Sequence, residues 1–484
     1  MTCDIMEFEP VIGLEIHAEM QTRSKMFCSC EVVDNTVAPP NIAVCPVCAG
    51  MPGSLPVVNR TAVEYAIRVA LALECEVQHT SIFARKNYFY PDLPKGYQIS
   101  QYEEPLAVNG KLVIQTSDGE QSIRVRRVHL EEDTGKLTHV GGASLVDLNR
   151  AGVALLEIVS EPDMRSAEAA KAYGESLREI LRYLGVNNGD MEKGVIRFEA
   201  NVSVREKGST ELGTRTEVKN LNSFRALERA IEYEIKRQSK IVEAGGAIEQ
   251  ETLGWNEARG ETYSQRSKED AHDYRYFPEP DLPPLVVEDS WVNQIRKSLP
   301  ELPRAKSVRL VKEYGLTEYD AARLVEEQEI ADYFESAVRN LSKTVQPKIV
   351  ANWMLGDLYS LMNQANITAS QLKVRPEALG ELAQITAEGQ INQASAKEVL
   401  VEMFATGKSA LEIVEARGLK QVSDEAFISN LVRQTLAENP SEVASYKSGK
   451  VGLLNFLFGQ VMKKAAGRAN PAVVRAELEK QLTS

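Results

Sequence analysis

The sequence has little that would place it in a membrane or in two common classes of enzyme. None of its stretches approaches the roughly 18–20 uninterrupted apolar residues of a membrane span. Its first ten residues carry acids where a signal peptide carries basic and apolar regions. Neither a GxxxxGK(S/T) phosphate loop nor a GxSxG nucleophile motif occurs. We therefore expect a cytoplasmic protein without a membrane partner, and we exclude both motif-defined classes.

Net positive charge is also lacking, because 56 basic residues face 69 acidic ones and the formal net charge is −13. This balance argues against indiscriminate nucleic-acid binding, since contacts to phosphates need a basic surface. An RNA partner would have to meet a local basic patch, and residues 447–484 are a candidate. They contain seven basic residues against the two acids Glu477 and Glu479, namely Lys447, Lys450, Lys463, Lys464, Arg468, Arg475 and Lys480. A solvated helix face is the alternative interpretation.

The first 295 residues have the character of an α+β domain. A chain of 484 residues has room for two to four domains of roughly 100–200 residues. Strand-like runs dominate residues 1–295, and the spacing predicts helices that begin at Asn59, Ser166 and Ser223. The proline-rich segment Tyr276–Pro284 cannot continue a helix or an inner strand, so we read it as the extended exit of this domain.

The rest of the chain is predicted to be helical. After about residue 296 the strand signals vanish, and helices rich in Ala, Leu, Glu, Gln and Lys are broken by short turns. A weak break follows Gly418. We predict an all-α domain over residues 296–415 and a small all-α tail domain over residues 416–484.

Three predicted strands carry unusual polar residues on one face. Alternate residues of a strand point to opposite sides of a sheet, and here one side is apolar while the other is polar. The polar faces consist of Glu15, His17 and Glu19, of Arg197, Glu199, Asn201, Ser203 and Arg205, and of Arg215, Glu217 and Lys219. A solvated face is the alternative for any single strand. Three such strands together favour antiparallel strands that line an open cleft.

Further acids extend this cleft. Glu131, Glu132 and Asp133 follow a strand that contains His129, and Glu157 stands among apolar neighbours. An isolated buried carboxylate is costly unless it is paired or bound to a metal, so a buried salt bridge is the alternative here. Carboxylates with imidazole and guanidinium groups could hold a divalent cation beside a ligand that carries phosphate.

Four of the six cysteines have the spacing of a metal site. Cys28 and Cys30 form one close pair, and Cys45 and Cys48 form a second pair after fourteen residues. Two such pairs provide the four thiolates of a structural zinc site, and a closed set of four leaves no open position for catalysis. Four unligated cysteines are the alternative. Cys3 and Cys75 have no partner pattern, and we expect them to be ordinary.

Seven long segments carry a specific resemblance. They read VIGLEIH from Val11, RKNYFYPDLPKGYQISQ from Arg85, HLEED from His129, VDLNR from Val146, LEIVSEPD from Leu156, EVKNLNSF from Glu217 and DYRYFPEP from Asp273. In this order they resemble the GatB family, the B subunits of aspartyl/glutamyl-tRNA amidotransferases. The resemblance implies a cradle-like catalytic domain, a helical domain and a small helical tail that grips the elbow of tRNA.

The resemblance also implies a reaction and partners. ATP phosphorylates the side-chain carboxylate of glutamate on tRNA(Gln), or of aspartate on tRNA(Asn), and ammonia displaces the phosphate. The ammonia comes from glutamine through a GatA-type amidase subunit, and a GatC-type small subunit completes a heterotrimer. The absence of a nucleophile motif agrees with a glutamine-splitting step on another chain.

Site residues follow from the same resemblance. It implies a Mg²⁺ held by residues that match Glu15, His17, Glu132 and Glu157, and a structural Zn²⁺ held by Cys28, Cys30, Cys45 and Cys48. From strand facing we add Arg197, Arg215 and Lys219 as basic groups for the transferred phosphoryl, with Asn201, Ser203 and Glu217 lining the nucleotide pocket. The polar-aromatic loop over Lys86–Tyr97 could contact the acceptor end of tRNA by stacking, with a packed surface loop as the alternative.

One residue departs from the pattern of the family, and two other classes of function are alternatives to this interpretation. Ala154 stands where family members usually have proline, which loosens the turn before Glu157, but all charged residues remain and we expect activity to survive. An RNA-binding scaffold would bind RNA without nucleotide turnover. A stand-alone metal-dependent hydrolase would act without partners or tRNA.

Overall fold

The chain forms two compact units. They comprise Met1–Leu302 and Pro303–Ser484. The computed structural model describes residues 7–267, 274–342, 345–420, 425–465 and 469–483. Cys3, Asp273 and Arg468 lie outside the described residues, as does most of the predicted break after Gly418. The predicted boundaries at residues 295 and 415 stay a prediction, and the compact units divide once, after Leu302.

The first unit contains the strands. They are β1 Phe8–Glu19, β2 Glu76–Val77, β3 Thr80–Ser81, β4 Phe83–Asn87, β5 Tyr97–Gln101, β6 Ala107–Thr116, β7 Gly119–Glu132, β8 Lys136–Val140, β9 Ala143–Asp147, β10 Ala154–Ser160, β11 Ile196–Glu206, β12 Thr216–Leu221, β13 Glu251–Asn256, β14 Glu261–Ser267, β15 Phe277–Pro278 and β16 Leu285–Val286. Its helices are α1 Arg60–Ala72, α2 Ala167–Tyr183, α3 Phe224–Glu243 and α4 Asp289–Ser298.

The second unit is helical throughout its described residues. Its α-helices are α5 Pro303–Tyr314, α6 Glu318–Leu324, α7 Gln328–Val338, α8 Pro347–Trp353, α9 Tyr359–Ala365, α10 Pro376–Ala387, α11 Gln393–Thr406, α12 Ala410–Arg417, α13 Glu425–Glu438, α14 Pro440–Lys447, α15 Leu453–Lys464 and α16 Pro471–Thr483. A π-helical stretch, Met354–Leu358, joins α8 to α9. Two apolar clusters lie in this unit, one over Leu310–Val414 and one over Ile428–Leu482.

A nine-stranded sheet dominates the first unit, with the order β14-β13-β12-β11-β1-β10-β7-β6-β2. All its neighbouring strands run antiparallel except β12 and β13, which are parallel. Smaller sheets join β15, β4 and β5, then β16 and β3, then β8 and β9. The predicted α+β class, with an antiparallel sheet before a helical region, is confirmed.

Helices cover one face of the large sheet because their apolar sides and the apolar strand faces share one core. Buried residues of α1, α2 and α3 join Ile12, Leu14 and Ile16 of β1 in this core. The predicted helix starts are confirmed, since the side chains of Asn59, Ser166 and Ser223 accept hydrogen bonds from the first-turn amides. The opposite, polar face of the sheet is left open to form the cleft.

The proline-rich segment returns to the first unit. Its β15 pairs with β4, and the Arg85 guanidinium binds both carboxylate oxygens of Glu279 at 2.7 Å. The strand β16, which follows the segment directly, pairs with β3. The unit therefore continues through α4, whose Val292 and Ile295 are buried in the same core. Among the described residues, no helix combines the length and apolar character that crossing a bilayer requires.

A buried carboxylate fastens α3 to the end of the sheet that carries β12. Glu234 is fully buried and accepts hydrogen bonds from Thr216 (3.1 Å), Thr262 (2.6 Å) and Gln238 (3.2 Å). Arg237 pairs with both of its oxygens at 2.9 and 2.8 Å. Burial raises the pKa of Glu234, but these partners outweigh it and lower the pKa overall. From the helix-covered face of the sheet, the network fixes the position of Thr216, the neighbour of Glu217.

We expect Glu234→Ala to lower the free energy of unfolding of the first unit by about 3 kcal/mol, because it removes the acceptor of Thr216 and Thr262 and leaves Arg237 with the more distant Glu251 at 4.0 Å. Denaturant unfolding followed by tryptophan fluorescence measures this. In a Trp353→Phe background the two remaining tryptophans, Trp255 and Trp291, both lie in the first unit.

Glu232→Ala is the matched control on the same helix, because the Glu232 side chain is 52% exposed and lies 3.9 Å from Lys236. Its effect should stay within about 0.5 kcal/mol. Equal losses in the two variants would contradict a fastening role for Glu234.

Candidate active site

One row of polar side chains crosses four neighbouring strands on the open face. His17 of β1 stands opposite Arg197 of β11 on one side and Glu157 of β10 on the other. Glu157 in turn stands opposite His129 of β7. Directly paired residues of antiparallel strands share a face, so the register alone brings these four side chains together.

The row holds a group that could bind a cation. The Nε2 atom of His17 lies 3.4 Å from Glu157 Oε2 and 3.6 Å from Glu131 Oε1, and one ligand atom from each residue lies within 4.8 Å of the others. His129 Nε2 contacts Glu157 Oε2 at 3.1 Å, while its Nδ1 is buried without a hydrogen-bond partner among the described residues. Carboxylate and imidazole ligands suit Mg²⁺ or a softer divalent ion.

The pKa shifts of this group reflect crowded charge. Burial lowers the pKa of His17, but the hydrogen bond to Glu157 and the nearby carboxylate charges raise it to about 9. Burial raises the pKa of Glu157, yet His129 and His17 hold it well below its usual range. The pKa of Glu131 is raised by burial and by the charge of Glu157. A bound divalent cation would relieve the repulsion between these carboxylates.

The structure does not bring Glu132 into this group, and Glu131 takes the predicted position instead. Residues alternate between the two faces of β7, so His129 and Glu131 share the open face and Glu132 points away from it. The Glu132 carboxylate is paired with Lys95 and accepts a hydrogen bond from the Ile99 amide at 2.9 Å. Of the predicted set of four, His17 and Glu157 lie in this group and Glu132 lies outside it.

Glu15 belongs to a second group. Its carboxylate lies with those of Glu199 and Glu217, with one oxygen from each within 4.8 Å of the others. Burial, together with the charges of these glutamates and of Glu157, raises the pKa of Glu15. Asn201 donates to Glu15 at 2.9 Å, so this predicted pocket residue holds a carboxylate in place. The predicted cation ligands are thus divided between two neighbouring groups.

The predicted basic residues lie around both groups. Lys219 contacts Glu199 at 2.8 Å and lies 3.8 Å from Glu217. Arg197 donates to Asp133 at 2.8 Å. Arg215 is exposed and lines the cleft from the residue before β12.

Ser203 is not brought into the cleft. It is buried two residues beyond Asn201, and its hydroxyl faces the Val11 carbonyl at 3.4 Å. The prediction that it lines the pocket does not agree with this position.

A second wall faces the sheet across a cleft of about 510 Å³. It is formed by β4, β5 and the segment after Tyr274, which bring aromatic side chains over the acidic floor. Tyr102 and Tyr276 stack with ring centres 4.2 Å apart, and Lys86 Nζ lies 4.9 Å from the centre of the Tyr274 ring. Of the predicted polar-aromatic loop, Lys86 and Tyr88 line the cleft, whereas Tyr90 is exposed.

The four predicted zinc cysteines lie together. Their sulfur atoms all lie within 4.8 Å of one another, and no other protein ligand is needed for a tetrahedral set. The thiols of Cys30 and Cys45 are 3.9 and 3.8 Å from Cys48 Sγ, and the Cys45 amide donates to Cys48 at 3.1 Å. Cys75 is buried apart from them, in the main core.

An antiparallel sheet face that combines two cation-capable groups with three basic side chains and an aromatic wall is suited to chemistry on a phosphate ligand. Comparison with known families agrees. The model described as the GatB/GatE catalytic domain matches residues 10–293, and the model described as the GatB domain matches residues 332–482. The chain belongs to the GatB family, which confirms the resemblance found in the sequence.

Relatives match over nearly the whole chain. The chain is 54% identical to a protein of Persephonella marina over 99% of its own length and 100% of the relative's. It is 53% identical to one of Moorella thermoacetica, with coverage of 99% and 100%, and 51% identical to one of Myxococcus xanthus, with 99% of both. All three relatives are named as the B subunit of aspartyl/glutamyl-tRNA(Asn/Gln) amidotransferase.

Sequence reasoning missed some residues of the cleft. His129 was seen only as part of a strand, although its place two residues before Glu131 puts both on one face. Glu199 was placed on the polar face but given no role. Lys86, which the sequence places in a polar-aromatic loop, lies in β4.

We expect Glu131→Gln to weaken Mn²⁺ binding by about tenfold or more, because an amide oxygen replaces a charged ligand. Glu132→Gln is the matched neighbour, and its effect should stay below about threefold, because its carboxylate faces Lys95. Titration of the full chain followed by Mn²⁺ electron paramagnetic resonance measures both. A larger loss in Glu132→Gln than in Glu131→Gln would restore the original ligand set.

Proposed function

We propose that this chain is the B subunit of a tRNA-dependent amidotransferase, a glutamine-hydrolysing ligase of protein biosynthesis. Its cleft transfers the γ-phosphoryl group of ATP to the side-chain carboxylate of Glu-tRNA(Gln), Asp-tRNA(Asn) or both. Ammonia then displaces the phosphate and gives Gln-tRNA(Gln) or Asn-tRNA(Asn). Membership of the GatB family and the name carried by the relatives support this proposal.

The observation that carries the proposal is the pair of cation-capable groups beside Lys219 and Arg215. A phosphoryl group in transfer spreads negative charge over its oxygens, so catalysis depends on positioning and on positive charge. Mg²⁺, when bound by His17, Glu131 and Glu157 or by the second group, supplies that charge to the phosphates. The open sheet face supplies the fixed side chains around it.

The chain's own residues have distinct tasks in two steps. In the first, a carboxylate oxygen of the substrate bonds to the γ-phosphorus while the bond to ADP breaks. Lys219 and Arg215 orient the phosphates, and Asp133 holds Arg197 beside them. In the second, the ammonia nitrogen bonds to the activated carbonyl carbon, and phosphate leaves with the electrons of the carbon–oxygen bond. The nitrogen loses its extra proton to a carboxylate of the cleft, such as Glu15 when the cation is held by His17, Glu131 and Glu157.

Ammonia must come from another chain. A GatA-type amidase subunit would supply it, with a GatC-type small subunit completing the heterotrimer. The tail would contact tRNA, although Lys464 is paired with Glu438 at 2.6 Å and Lys480 lies 3.6 Å from Glu477. Structural Zn²⁺ would occupy the four-cysteine group, whose ligand atoms fit it.

We expect His17→Ala to reduce tRNA-dependent ADP release by roughly 10²-fold, because it removes a cation ligand at the centre of the row. The measurement is ATP hydrolysis by the chain assembled with amidase and small subunits, with and without Glu-tRNA(Gln). His79→Ala is the control, because His79 is exposed and lies outside the lining of the cleft.

The two other functions give different results in the same assay. If charged tRNA binds but stimulates no ADP release, the chain is an RNA-binding scaffold and the row of His17 loses its role. Turnover that needs neither tRNA nor partners would identify a stand-alone hydrolase.

A further inference from the structure

A lysine lies buried against the four-cysteine group. Lys25 is 0% exposed and is among the largest fully buried side chains of the described chain. Lysine is rarely buried without partners, because removing an ammonium from water is costly. Its position therefore needs a reason that the cleft does not provide.

All three ammonium protons of Lys25 have an acceptor. Its Nζ donates to the Ala43 carbonyl at 2.7 Å, to the Leu148 carbonyl at 3.1 Å and to Cys48 Sγ at 3.6 Å. An ammonium has three donors and no acceptor, so this arrangement uses its full capacity. One of the three bonds goes to a sulfur atom of the proposed metal site.

The negative charge of a four-thiolate metal site explains why a cation would be placed beside it. Four thiolates around Zn²⁺ carry a net charge of about −2. Groups that donate hydrogen bonds to metal ligands orient them and set the affinity for the metal. Lys25 is the cation that lies within hydrogen-bond distance of these sulfur atoms among the described residues.

The segment around Lys25 is also bonded to the segment that leads into β10. Leu148 lies at the start of the segment that enters β10, and the neighbouring Met26 amide donates to the Gly152 carbonyl at 2.7 Å. Gly152 in turn donates to the Asp133 carbonyl at 2.9 Å. Asn149 makes a further link between the cysteine loop and this segment, because its side chain accepts a hydrogen bond from the Ala43 amide at 3.0 Å.

We propose that Lys25 is the built-in counterion of a zinc-loaded four-cysteine site and fastens that site to the segment 148–153 that leads into β10. Lys25 is thus a positioning residue, and it touches neither substrate nor the reacting atoms. This inference rests on the proposed zinc occupancy and is independent of the proposed phosphoryl transfer.

The test compares wild type with Lys25→Met, which keeps an unbranched apolar side chain out to Cε and removes the ammonium group with its charge and donors. Zinc affinity of the full chain is measured by competition with a chromophoric chelator. We expect Lys25→Met to bind zinc about ten- to hundredfold more weakly. Lys193→Met is the matched control, because Lys193 is a surface lysine paired with Asp34 at 2.8 Å, and its affinity should equal that of wild type.

Two further readouts separate this role from simple packing. In the Co²⁺-substituted chain, loss of the N–H···S bond should move the sulfur-to-cobalt charge-transfer band to longer wavelength in Lys25→Met. Hydrogen exchange of residues 148–153 should rise in wild type when zinc is removed, and should already be fast in zinc-loaded Lys25→Met. If Lys25→Met does not fold, Lys25→Gln takes its place, because it keeps a donor without the charge.

The outcomes are distinct. Equal zinc affinity and an unmoved cobalt band in the folded variant would overturn the counterion role, whatever its melting temperature. If hydrogen exchange of residues 148–153 in wild type is equally fast with and without zinc, the fastening role is overturned. If wild type binds no zinc, the zinc assignment fails and this inference with it, while ADP release in the assembled complex still tests the phosphoryl transfer on its own.

Discussion

Repulsion between carboxylates on one sheet face is the constraint on which this structure depends. The two cation-capable groups bring five glutamates together in a cleft with an apolar core behind it. Such a face is stable only if positive charge is interleaved with it, and His17 and Lys219 supply part of that charge. A bound cation would add further positive charge, and the crowding of carboxylates therefore supports the proposed cation site. Rigidity behind the face, including the network of Glu234, keeps the like charges from moving apart.

Much of this arrangement could be predicted because it follows from period-2 alternation. Alternation predicts a polar side for β1, β11 and β12, and the antiparallel pairing of β1 with its neighbours then places His17 beside Arg197 and Glu157. The positions of Glu131 and Glu132 show what alternation alone does not determine. Adjacent residues of β7 point to opposite faces of the sheet. Sequence spacing alone does not say whether Glu131 or Glu132 points into the cleft. The resemblance to the GatB family indicates the chemistry, but it does not indicate which of these two glutamates faces the cleft.

Other features required the three-dimensional structure because they join segments that are distant in sequence. The division of predicted ligands into two groups depends on Glu15 meeting Glu217, which lies two strands away in the order of the sheet. Nothing in the sequence around Lys25 distinguishes it from a surface lysine, and only the return of Leu148 to the cysteine loop reveals it as buried. The far wall of the cleft has the same origin, since Tyr276 stacks on Tyr102.

The return of the proline-rich segment to β3 and β4 also bears on how the protein is made. A ribosome releases the chain from its N-terminus, so β4 emerges 194 residues before Glu279 arrives to pair with Arg85. Until then the edges of β3 and β4 lack these partners, and contacts of such long sequence separation form late. Synthesis must pass Tyr276 before this residue can stack on Tyr102 and complete the wall over the acidic face. A nascent chain that stops earlier would leave these strand edges open to pairing with other chains.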